Sequence, residues 1–514
     1  MELPEIITEV QSLGVKLPEG GVHRKGGAGP AEAGSLVISG IAVSVPASSP
    51  FVSRSPYVLK TVADDLFLFK GDENVVPVTL VPRPRFYDGK TAEGVPCSQI
   101  ALLHGTDCLA SSVLQTCIHW HPKTRCRFCG IELSLKNQQT IPVKSPGQLA
   151  ETAVKARALD AVRHVVLTTG TGEPPGSELS LIKAASAAIK KVAALPIHAQ
   201  FLPPAHGGDL SGRFQALKTA GVDTVGIHIE TFDLNLLETV APMKAALGLK
   251  RFEAAWEAAV AVFGPNQVSS FLIAGLGEAP ESLVQGSEYL ADRGVYPFVV
   301  PLRPIPGSLM ADAQPPDPDT MKTIYDTVSR ILAGKGLAAA QSLAGCVRCG
   351  ACSALPAYER RRQALVCHPS RTPQELDAAF AIRETVFVQE QQLFETSDRD
   401  AHDQKSIHLV AKQGHEVIGT VRVFPAGDGN GHWIGGRLAV KKGLRSSGAG
   451  ELLVKHAVSC VKDQGCTRFT AHIQAENVPF FEQLGWRGIE PVAPHFGRPH
   501  QLMAADLETG GIDS

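Results

Sequence analysis

The sequence has no excess of charge of either sign. Its 514 residues include 49 Lys and Arg against 51 Asp and Glu, which gives a net charge of −2. A nearly neutral chain has no overall field that would draw it to nucleic acid or to an anionic membrane, although a local basic patch is still compatible with it. We therefore expect neither nucleic acid nor a membrane as a partner.

The sequence also lacks a long apolar run and a basic amino-terminal stretch. The uncharged segment 33–52 contains several serines together with Pro46 and Pro50, so it is a poor membrane span. The first ten residues carry three glutamates and no basic residue, unlike a signal peptide. These absences predict a soluble, cytoplasmic protein.

Cysteine is neither scarce nor dense. The 11 cysteines are an odd number spread along a long chain, which is unlike the disulfide framework of a small secreted domain. This pattern favours metal or redox chemistry in a reducing compartment. An apolar content of 44% is that of a globular protein, and at about 150 residues per domain the length predicts roughly three domains.

Composition and pattern divide the chain into four regions. Residues 1–95 are rich in Gly, Pro and Ser, with a loop predicted at 26–30, and are expected to form a small irregular β-rich cap. Residues 96–345 alternate short apolar strands with Ala-rich helices. Residues 346–370 form a cysteine-rich connector, and residues 371–514 form a separate α/β domain.

The second region predicts an α/β fold with a complete or partial TIM-type βα barrel, because six strands alternate with helices. In such barrels the chemistry lies at the carboxyl ends of the strands. The strands are predicted over 112–116, 164–170, 196–202, 224–231, 268–275 and 297–304.

The strongest signal is the segment CIHWHPKTRCRFCG, which places Cys117, Cys126 and Cys129 directly after the first predicted strand. Three thiolates on one loop can bind three irons of a cubane cluster and leave the fourth iron open to a ligand. Phe128 would shield such a cluster from water. The alternative is a structural zinc site formed by Cys126, Cys129 and a histidine of the same loop.

This loop resembles that of the radical S-adenosylmethionine (SAM) superfamily, which ends in Cys-x-aromatic-Cys. The resemblance implies a [4Fe–4S] cluster and SAM as cofactors, with flavodoxin or ferredoxin as external electron donor. The segments TGTGEPPG, FLIAGLGE and PLRPIPGS follow three predicted strands and resemble SAM-binding elements of this superfamily, including those of biotin and lipoyl synthases. The cofactor-binding residues that the resemblance implies are Phe128, Gly172, Glu173, Gly275, Glu278 and Arg303.

Polar residues inside the predicted barrel form a further group of candidates. His228 and Glu230 share one strand face because side chains alternate with a period of two. Gln200 lies in the preceding strand. These side chains either hold substrate or SAM, with His228 and Glu230 as candidate catalytic residues, or belong to a satisfied hydrogen-bond network of the core.

A second cysteine motif places Cys346, Cys349 and Cys352 at the spacing that begins a ferredoxin cluster motif. Pro356 stands where the fourth ferredoxin cysteine would fall. We predict a second iron–sulfur cluster here, either with a fourth ligand from elsewhere or with an open iron, and a zinc site is the alternative. The candidates for the fourth ligand are Cys97, Cys108 and Cys367.

The last region carries Arg445, Gly448 and Gly450 between a predicted strand and a helix. Backbone N–H groups at such a helix start can bind a pyrophosphate. The segment resembles motif A of the Gcn5-related N-acetyltransferases (GNAT), which implies acetyl-CoA or another acyl-CoA as cofactor. Asn477 matches a later GNAT segment, whereas Phe481 stands where the family often has a tyrosine as general acid.

The segment IRETVFVQEQQLFETSDRDAHD resembles the opening of acyl-homoserine-lactone synthases and related GNAT proteins. In those proteins an arginine and paired acidic residues line the acceptor site. The resemblance makes Arg383, Asp400 and Asp403 candidate catalytic residues, and a solvated acidic loop is the alternative.

Residues 1–360 also resemble the radical SAM protein of a bacterial nitrilase-associated gene cluster, through segments such as RKGGAGPAEAG and GCVRCGACSAL. The last region resembles the GNAT protein of the same cluster. The resemblance implies a fusion of two enzymes that act on a small nitrogenous metabolite, with other enzymes of that cluster as partners. Two alternatives stay open: a tRNA-modifying enzyme like the elongator catalytic subunit, and a GNAT domain that senses acyl-CoA without catalysis.

Overall fold

The computed structural model describes residues 1–17, 33–204, 208–414, 416–445, 447–491 and 493–508. The loop predicted at 26–30 therefore lies outside the described residues, as does most of the segment RKGGAGPAEAG. The chain forms two compact units, Met1–Glu359 and Arg360–Ser514. Among the described residues, no helix combines the length and apolarity needed to cross a membrane.

The amino-terminal region is β-rich, as predicted. It consists of helix α1 (Leu3–Leu13) and the strands β1 (Ala33–Ile38), β2 (Ile41–Pro46), β3 (Tyr57–Val62), β4 (Asp65–Lys70) and β5 (Glu73–Leu80). The strands form an antiparallel sheet in the order β2-β1-β5-β4-β3. One continuous buried core runs from Ile6 of α1 to Tyr358 at the end of the unit, so this sheet is a wall of the first unit.

The centre of the first unit is a seven-stranded sheet. Its strands are β6 (Leu102–His104), β7 (Cys108–Leu114), β8 (His164–Thr169), β9 (Ile197–Gln200), β10 (Thr224–Gly226), β11 (Val268–Ala274) and β12 (Val295–Pro301). Strands β7 to β12 are parallel neighbours, and β6 pairs antiparallel with β7 at one edge. The sheet order leaves β12 and β6 as open edges, which confirms the partial barrel.

The helices of the first unit surround this sheet. They are α2 (Cys97–Ile100), α3 (Leu133–Lys136), α4 (Pro146–Asp160), α5 (Glu178–Ala193), α6 (Leu210–Thr219), α7 (Leu234–Val240), α8 (Pro242–Leu247), α9 (Leu249–Phe263), α10 (Pro280–Ala291), α11 (Pro318–Gly334), α12 (Gly345–Cys349) and α13 (Leu355–Gln363). The start of α4 shows how local sequence fixes an end: Ser145 Oγ accepts from Gln148 N, and Gln148 Oε1 accepts from Ser145 N. This reciprocal cap satisfies two backbone donors.

Strand β10 is shorter than the prediction of 224–231. It ends at Gly226, and Glu230 has a φ of +77°, which a regular strand does not tolerate. The chain rejoins the sheet where Glu230 forms a bridge with Leu272. This irregular stretch carries both polar residues that the sequence singled out, His228 and Glu230.

The second unit is built on a mixed sheet. Its strands are β13 (Leu365–Pro369), β14 (Ile407–Gln413), β15 (Glu416–Pro425), β16 (His432–Val440), β17 (Arg468–Gln474), β18 (Trp486–Gly488), β19 (Ala493–His495) and β20 (Arg498–Ala505). Their order is β13-β14-β15-β16-β17-β20-β18, with β19 paired to β20. The helices are α14 (Pro373–Glu384), which continues into a π-helical turn (Thr385–Glu390), α15 (Ala449–Asp463) and α16 (Val478–Gln483).

Strand β13 falls within the connector predicted over 346–370, so that segment is shared between the units. Its cysteines 346, 349 and 352 lie in the first unit, and β13 pairs with β14 in the second.

Strands β16 and β17 separate at their carboxyl ends. They pair in parallel only from His432 to Gly435 on β16. Beyond that point β16 stays with β15 as far as Val440, whereas β17 pairs with β20. Helix α15 begins at Ala449, nine residues after the end of β16. The segment between them continues from the end of β16 that borders the gap.

Candidate functional site

A cavity of about 400 Å³ lies at the carboxyl ends of the half-barrel strands. All three cysteines of the first motif, Cys117, Cys126 and Cys129, line it together with Phe128. The other predicted residues on its wall are Gln200, His228, Glu230, Arg303 and Cys352. Residues from separate strands are therefore brought to one site, as expected for a barrel.

The cysteine loop is fixed by backbone hydrogen bonds. The N–H of Cys117 donates to Glu132 Oε1 at 3.0 Å, and the N–H of Arg127 donates to the Val240 carbonyl at 2.8 Å. Burial raises the pKa of Cys126 to about 11 and that of Cys129 to about 12. A bound metal would have to displace these protons, as thiolate ligation generally requires.

The donor set fits a [4Fe–4S] cluster with one open iron. Within the described ranges, no three His, Cys, Asp or Glu side chains already surround the position of a single metal ion. A cubane spreads its thiolates over separate corners, so it needs three cysteines on one wall and not a tight cage. Cys117, Cys126 and Cys129 meet that requirement, with polar groups facing the same cavity.

His228 and Glu230 present polar atoms to the cavity. The Phe271 N–H donates to His228 Nδ1 at 3.2 Å, which leaves the ring proton on Nε2. Burial, with a contribution from the Lys244 charge, lowers the pKa of His228 well below its ordinary value, so the ring is neutral. Among the described residues, His228 Nε2 and Glu230 Oε2 are buried and have no hydrogen-bond partner.

Lys244 holds Glu230 in place. Its Nζ donates to Glu230 Oε1 at 2.5 Å and to the His228 carbonyl at 2.6 Å. The sequence did not identify this lysine, because α8 carries it from outside the strands and nothing in its local pattern is distinctive. A buried lysine beside a buried carboxylate leaves one carboxylate oxygen available to a ligand.

Arg303 reaches the cavity from the end of β12 and is held by the amino-terminal sheet. Its two Nη atoms donate to the side-chain and backbone oxygens of Ser44, at 2.9 and 2.5 Å. The β-rich region therefore positions a cavity residue, which the sequence alone did not indicate.

Four predicted SAM-binding residues lie outside the cavity lining and stay predictions: Gly172, Glu173, Gly275 and Glu278. Glu173 is exposed, and the Gly172 N–H donates to Glu178 Oε2 at 3.1 Å. Glu278 is bonded to Ser282, and burial raises its pKa. Glu178 is a buried acid of this region that the sequence missed, because a glutamate at a helix start is an ordinary feature.

In the second unit, Arg383, Asp400 and Asp403 belong to one ion-pair network. Arg383 is fully buried and donates to Asp398 Oδ2 at 2.7 Å and to Asp403 Oδ1 at 2.6 Å. Although burial opposes ionisation, hydrogen bonds that include those from Arg383 hold the pKa of Asp403 well below its usual range. Asp398 is buried and Asp403 is half-buried, whereas Asp400 is exposed, so only part of this acidic segment faces solvent.

Two further arginines complete the network and were missed by the sequence. Arg422 Nη1 donates to Asp400 at 2.7 Å, and Arg437 lies 3.2 Å from Asp398 Oδ2. They lie on β15 and β16, far along the chain from the acidic segment. Three arginines thus face three aspartates, and the predicted acceptor-site role of this group stays a prediction.

The predicted acyl-CoA residues lie beside the gap between β16 and β17. Gly448 precedes α15 with a φ of +88°, a conformation that favours glycine. Arg445 is bonded to the Val440 carbonyl and to Glu390. Gly450 lies in the first turn of α15, and Asn477 precedes α16.

Phe481 is a core residue. It is 6% exposed and packs edge-on against Trp486 with ring centroids 5.4 Å apart. The position where the family often has a tyrosine therefore contributes packing in this chain.

Comparisons with known proteins agree with both units. The Acetyltransferase (GNAT) family model matches residues 374–486, and the Radical SAM superfamily model matches residues 123–288, which include Cys126 and Cys129. The uncharacterized N-acetyltransferase YjcF of Bacillus subtilis is 31% identical over 138 residues, 27% of this chain and 96% of YjcF.

Two other similarities are more distant. Bacteriochlorophyllide c C-7(1)-hydroxylase of Chlorobaculum limnaeum is 22% identical over 300 residues, 54% of this chain and 73% of that protein. The crystal structure of Escherichia coli ElaA is 22% identical and covers 28% of this chain and 99% of ElaA, with a TM-score of 0.26. The chain belongs to the GNAT acetyltransferase family through its second unit, and it is an enzyme that joins this domain to a radical SAM domain.

Proposed function

We propose that this chain is a bifunctional enzyme acting on a small nitrogenous metabolite. Its first unit cleaves SAM reductively at a [4Fe–4S] cluster to start radical chemistry, and its second unit acylates the substrate or the product with an acyl-CoA. The observation that carries this proposal is the placement of Cys117, Cys126 and Cys129 on the wall that also carries His228 and Glu230.

The roles of the cavity residues follow from their contacts. The cluster, when bound, supplies the electron that cleaves SAM, and the three cysteines would hold it. His228 Nε2–H is a donor and Glu230 Oε2 an acceptor, so the pair can orient the hydroxyl or ammonium groups of a ligand. The hydrogen bond from Lys244 fixes the position of the Glu230 carboxylate. The apolar walls exclude water from reactive species.

The size of the cavity and the charge of the chain support a small-molecule substrate. A volume of about 400 Å³ is at the low end for ligand pockets. The net charge of −2 gives no support to the tRNA alternative. As partners we propose an external reductant such as flavodoxin or ferredoxin, and enzymes of the nitrilase-associated cluster, with neither nucleic acid nor a membrane.

Anaerobic reconstitution with iron, sulfide, dithionite and SAM tests the radical function. We expect 5′-deoxyadenosine as a product, and we expect Cys126→Ala to abolish it. Cys466→Ala, in the second unit, is the matched control and should leave product formation unchanged. Absence of 5′-deoxyadenosine from protein with an intact cluster would overturn this half of the proposal.

Calorimetry with acetyl-CoA tests the second unit. Arg445→Gln removes one charge-assisted contact to the diphosphate, worth about 1.4 kcal/mol, so we expect the Kd to rise roughly tenfold. Lys455→Gln removes a charge farther along α15 and should leave the Kd unchanged. Acetyl transfer to amine substrates is then measured as release of free CoA.

A second candidate function is an acyl-CoA sensor, and the burial of Phe481 against Trp486 favours it. No tyrosine hydroxyl is available there to protonate the departing thiolate. Tight binding of acetyl-CoA without turnover on any amine would support this sensor and contradict acyl transfer.

We also propose a second iron–sulfur cluster at Cys346, Cys349 and Cys352. Support comes from the position of Cys352 on the wall of the same cavity.

A further inference from the structure

The second cysteine motif lies against the strands of the half-barrel. Helix α12 contacts β8, β9 and β12. The Gly345 N–H donates to His164 Nδ1 at 3.3 Å. Gly345 has a φ of +94°, and a Cβ there would lie 2.5 Å from the His198 ring, so only glycine fits. The start of the motif is thereby fixed next to two strands of the sheet.

Cys108 brings a fourth thiol to this motif. It is fully buried at the first residue of β7, and Cys349 packs against the small buried cluster that Cys108 forms with Ala110 and Val166. The turn before β7 also touches the motif, because a Cβ built on Gly105 would lie 2.9 Å from Cys349 Sγ.

The other two candidates for a fourth ligand have different surroundings. Cys97 is buried in α2, and its Sγ lies next to Gly89, 3.5 Å from where a Cβ on that glycine would be. Cys367 lies on β13 in the second unit, where it packs against the hydrophobic core of that unit. Of the three, Cys108 is the one whose described contacts are with the second motif.

Polar groups near the motif suit a sulfur-ligated centre. Gln200 Nε2 donates to Cys346 Sγ at 3.2 Å, and such N–H···S bonds tune iron–sulfur clusters. His198 is buried, its Nδ1 pairs with Thr224 Oγ1 at 2.7 Å, and its Nε2 has no partner among the described residues. An interior amide that donates to a sulfur of the motif, as Gln200 does, has no evident role in a purely apolar core.

We propose that Cys108 is the fourth ligand of the second cluster and that Cys108, Cys346, Cys349 and Cys352 together hold one [4Fe–4S] centre inside the half-barrel. This inference rests on the proposed second cluster and is independent of SAM cleavage. Four thiolates leave no open iron, so this centre differs in kind from the one held by Cys117, Cys126 and Cys129.

The test counts metal in the full chain after removal of the first site. We expect about eight irons and eight sulfides per wild-type chain, and about four of each in the triple variant Cys117→Ala, Cys126→Ala, Cys129→Ala, with the electron paramagnetic resonance of a [4Fe–4S] centre on reduction. In that background, Cys108→Ser should reduce the iron to below about two per chain. Cys97→Ser, a buried cysteine of the same unit, should keep about four.

Several outcomes would overturn the inference. The first is a triple variant that binds no iron, and the second is a triple variant that binds one zinc ion instead of iron. The third is a Cys108→Ser variant that keeps as much iron as the Cys97→Ser variant. Near-ultraviolet circular dichroism shows whether Cys108→Ser has folded. If it has not, Cys352→Ala, at a half-buried position, must lower the iron content in the same way, and undiminished iron there counts against the site.

The outcomes also separate this inference from the proposed function. A wild-type chain that forms 5′-deoxyadenosine yet binds only about four irons contradicts the second cluster alone. A wild-type chain that binds about eight irons but forms no 5′-deoxyadenosine contradicts the radical function alone.

Discussion

Lys144 is a buried lysine near the cysteine loop. It is 2% exposed, and its Nζ donates to Gln115 Oε1 at 2.8 Å. Gln115 lines the cavity and donates in turn to the Ile131 carbonyl. Burial lowers the pKa of Lys144 to about 7, because the charged amine loses its hydration.

This lysine should make stability depend on pH. Its ordinary pKa is 10.5, so between about pH 7 and that value the unfolded chain binds more protons than the native chain. Stability should therefore rise with pH in this window, by up to about 1.4 kcal/mol per pH unit from this group. Urea unfolding at several pH values between about 7 and 8.5 measures the slope.

Lys144→Met should remove that contribution to the slope. Lys136→Met, at the exposed end of α3, is the matched control and should retain the wild-type slope. Equal slopes in Lys144→Met and the wild type would show that the buried amine is not the cause.

Arg383 is the buried centre of the ion-pair network in the second unit. Its removal would leave Asp398 and Asp403 each without one partner. We expect Arg383→Met to lower the free energy of unfolding of this unit by about 3–5 kcal/mol, since an unpaired buried charge is costly. Chemical denaturation followed by Trp433 and Trp486 fluorescence measures the loss.

Arg399→Met provides the comparison for Arg383. Arg399 is exposed and lies over the Phe380 ring at 3.9 Å. Its loss should cost no more than about 1 kcal/mol. Equal costs for the two variants would mean that the network contributes nothing beyond packing.

Residue-level prediction depends on spacing along the chain, and the ligand role of the cysteines stays a prediction. Cys117, Cys126 and Cys129 are close in sequence, and the structure places them on one cavity wall. Lys244 and Arg422 reach their sites from separate elements, and only the tertiary fold brings them there. Both are common residue types on ordinary helices and strands, so no local pattern could have identified them.

At the scale of elements, Glu9 joins three parts of the first unit. Its carboxylate on α1 accepts from Tyr57 Oη at 2.5 Å, from Lys70 Nζ at 2.8 Å and from Lys322 Nζ at 2.7 Å. These partners lie on β3, β4 and α11. Burial opposes ionisation, but the hydrogen bonds from Lys322, Lys70 and Tyr57 lower the pKa of Glu9 to about 2.

Glu9→Gln should weaken the attachment of α1. At pH 7 we expect a cost of about 1.5–3 kcal/mol in the free energy of unfolding, the range for hydrogen bonds to a charged group. Because the pKa of Glu9 is lower in the folded state, its contribution is complete above about pH 4.5 and is lost as the pH falls towards about 2. The difference from wild type should therefore shrink in acid.

Thermal unfolding at pH 7 and at about pH 3 measures this difference. Glu257→Gln, at an exposed position of α9, should unfold like the wild type at both values. A Glu9→Gln difference that stays constant with pH would contradict the assignment.

Most elements were predictable because their signals are local. The six predicted strands correspond to β7 to β12, and Ser145 with Gln148 marks the start of α4. The early end of β10 was not predictable, because it depends on the left-handed backbone of Glu230 and on its pairing with Lys244. The backbone conformation of Glu230 and its ion pair with Lys244 both depend on contacts with other elements.

At the scale of the whole molecule, the two units have separate hydrophobic cores. The core of the first unit ends at Tyr358, and the cores of the second contain residues from Ala379 onward. We expect two calorimetric transitions on heating. Acetyl-CoA at about 100 times its Kd should stabilise only the second unit, by about 2.7 kcal/mol.

Calorimetry with and without acetyl-CoA checks this expectation. Arg445→Gln is the control, in which acetyl-CoA should raise the unfolding temperature of the second unit by less. A single transition that moves as a whole would contradict independent unfolding.

The separation of the units was partly visible in the sequence as a change of pattern near 346–370. The continuous core that joins the β-rich region to the half-barrel was not visible, because it depends on long-range packing.

The contacts of Ser44 bear on how such a chain can evolve. Its N–H donates to the Ala351 carbonyl beside the second cysteine motif, and its oxygens accept from Arg303. Gene fusion at a junction after α13 can add or remove the second unit without touching these bonds. Loss of the hydroxyl at position 44 would remove the acceptor of Arg303 Nη1, so in any lineage positions 44 and 303 should be inherited as a pair and change together.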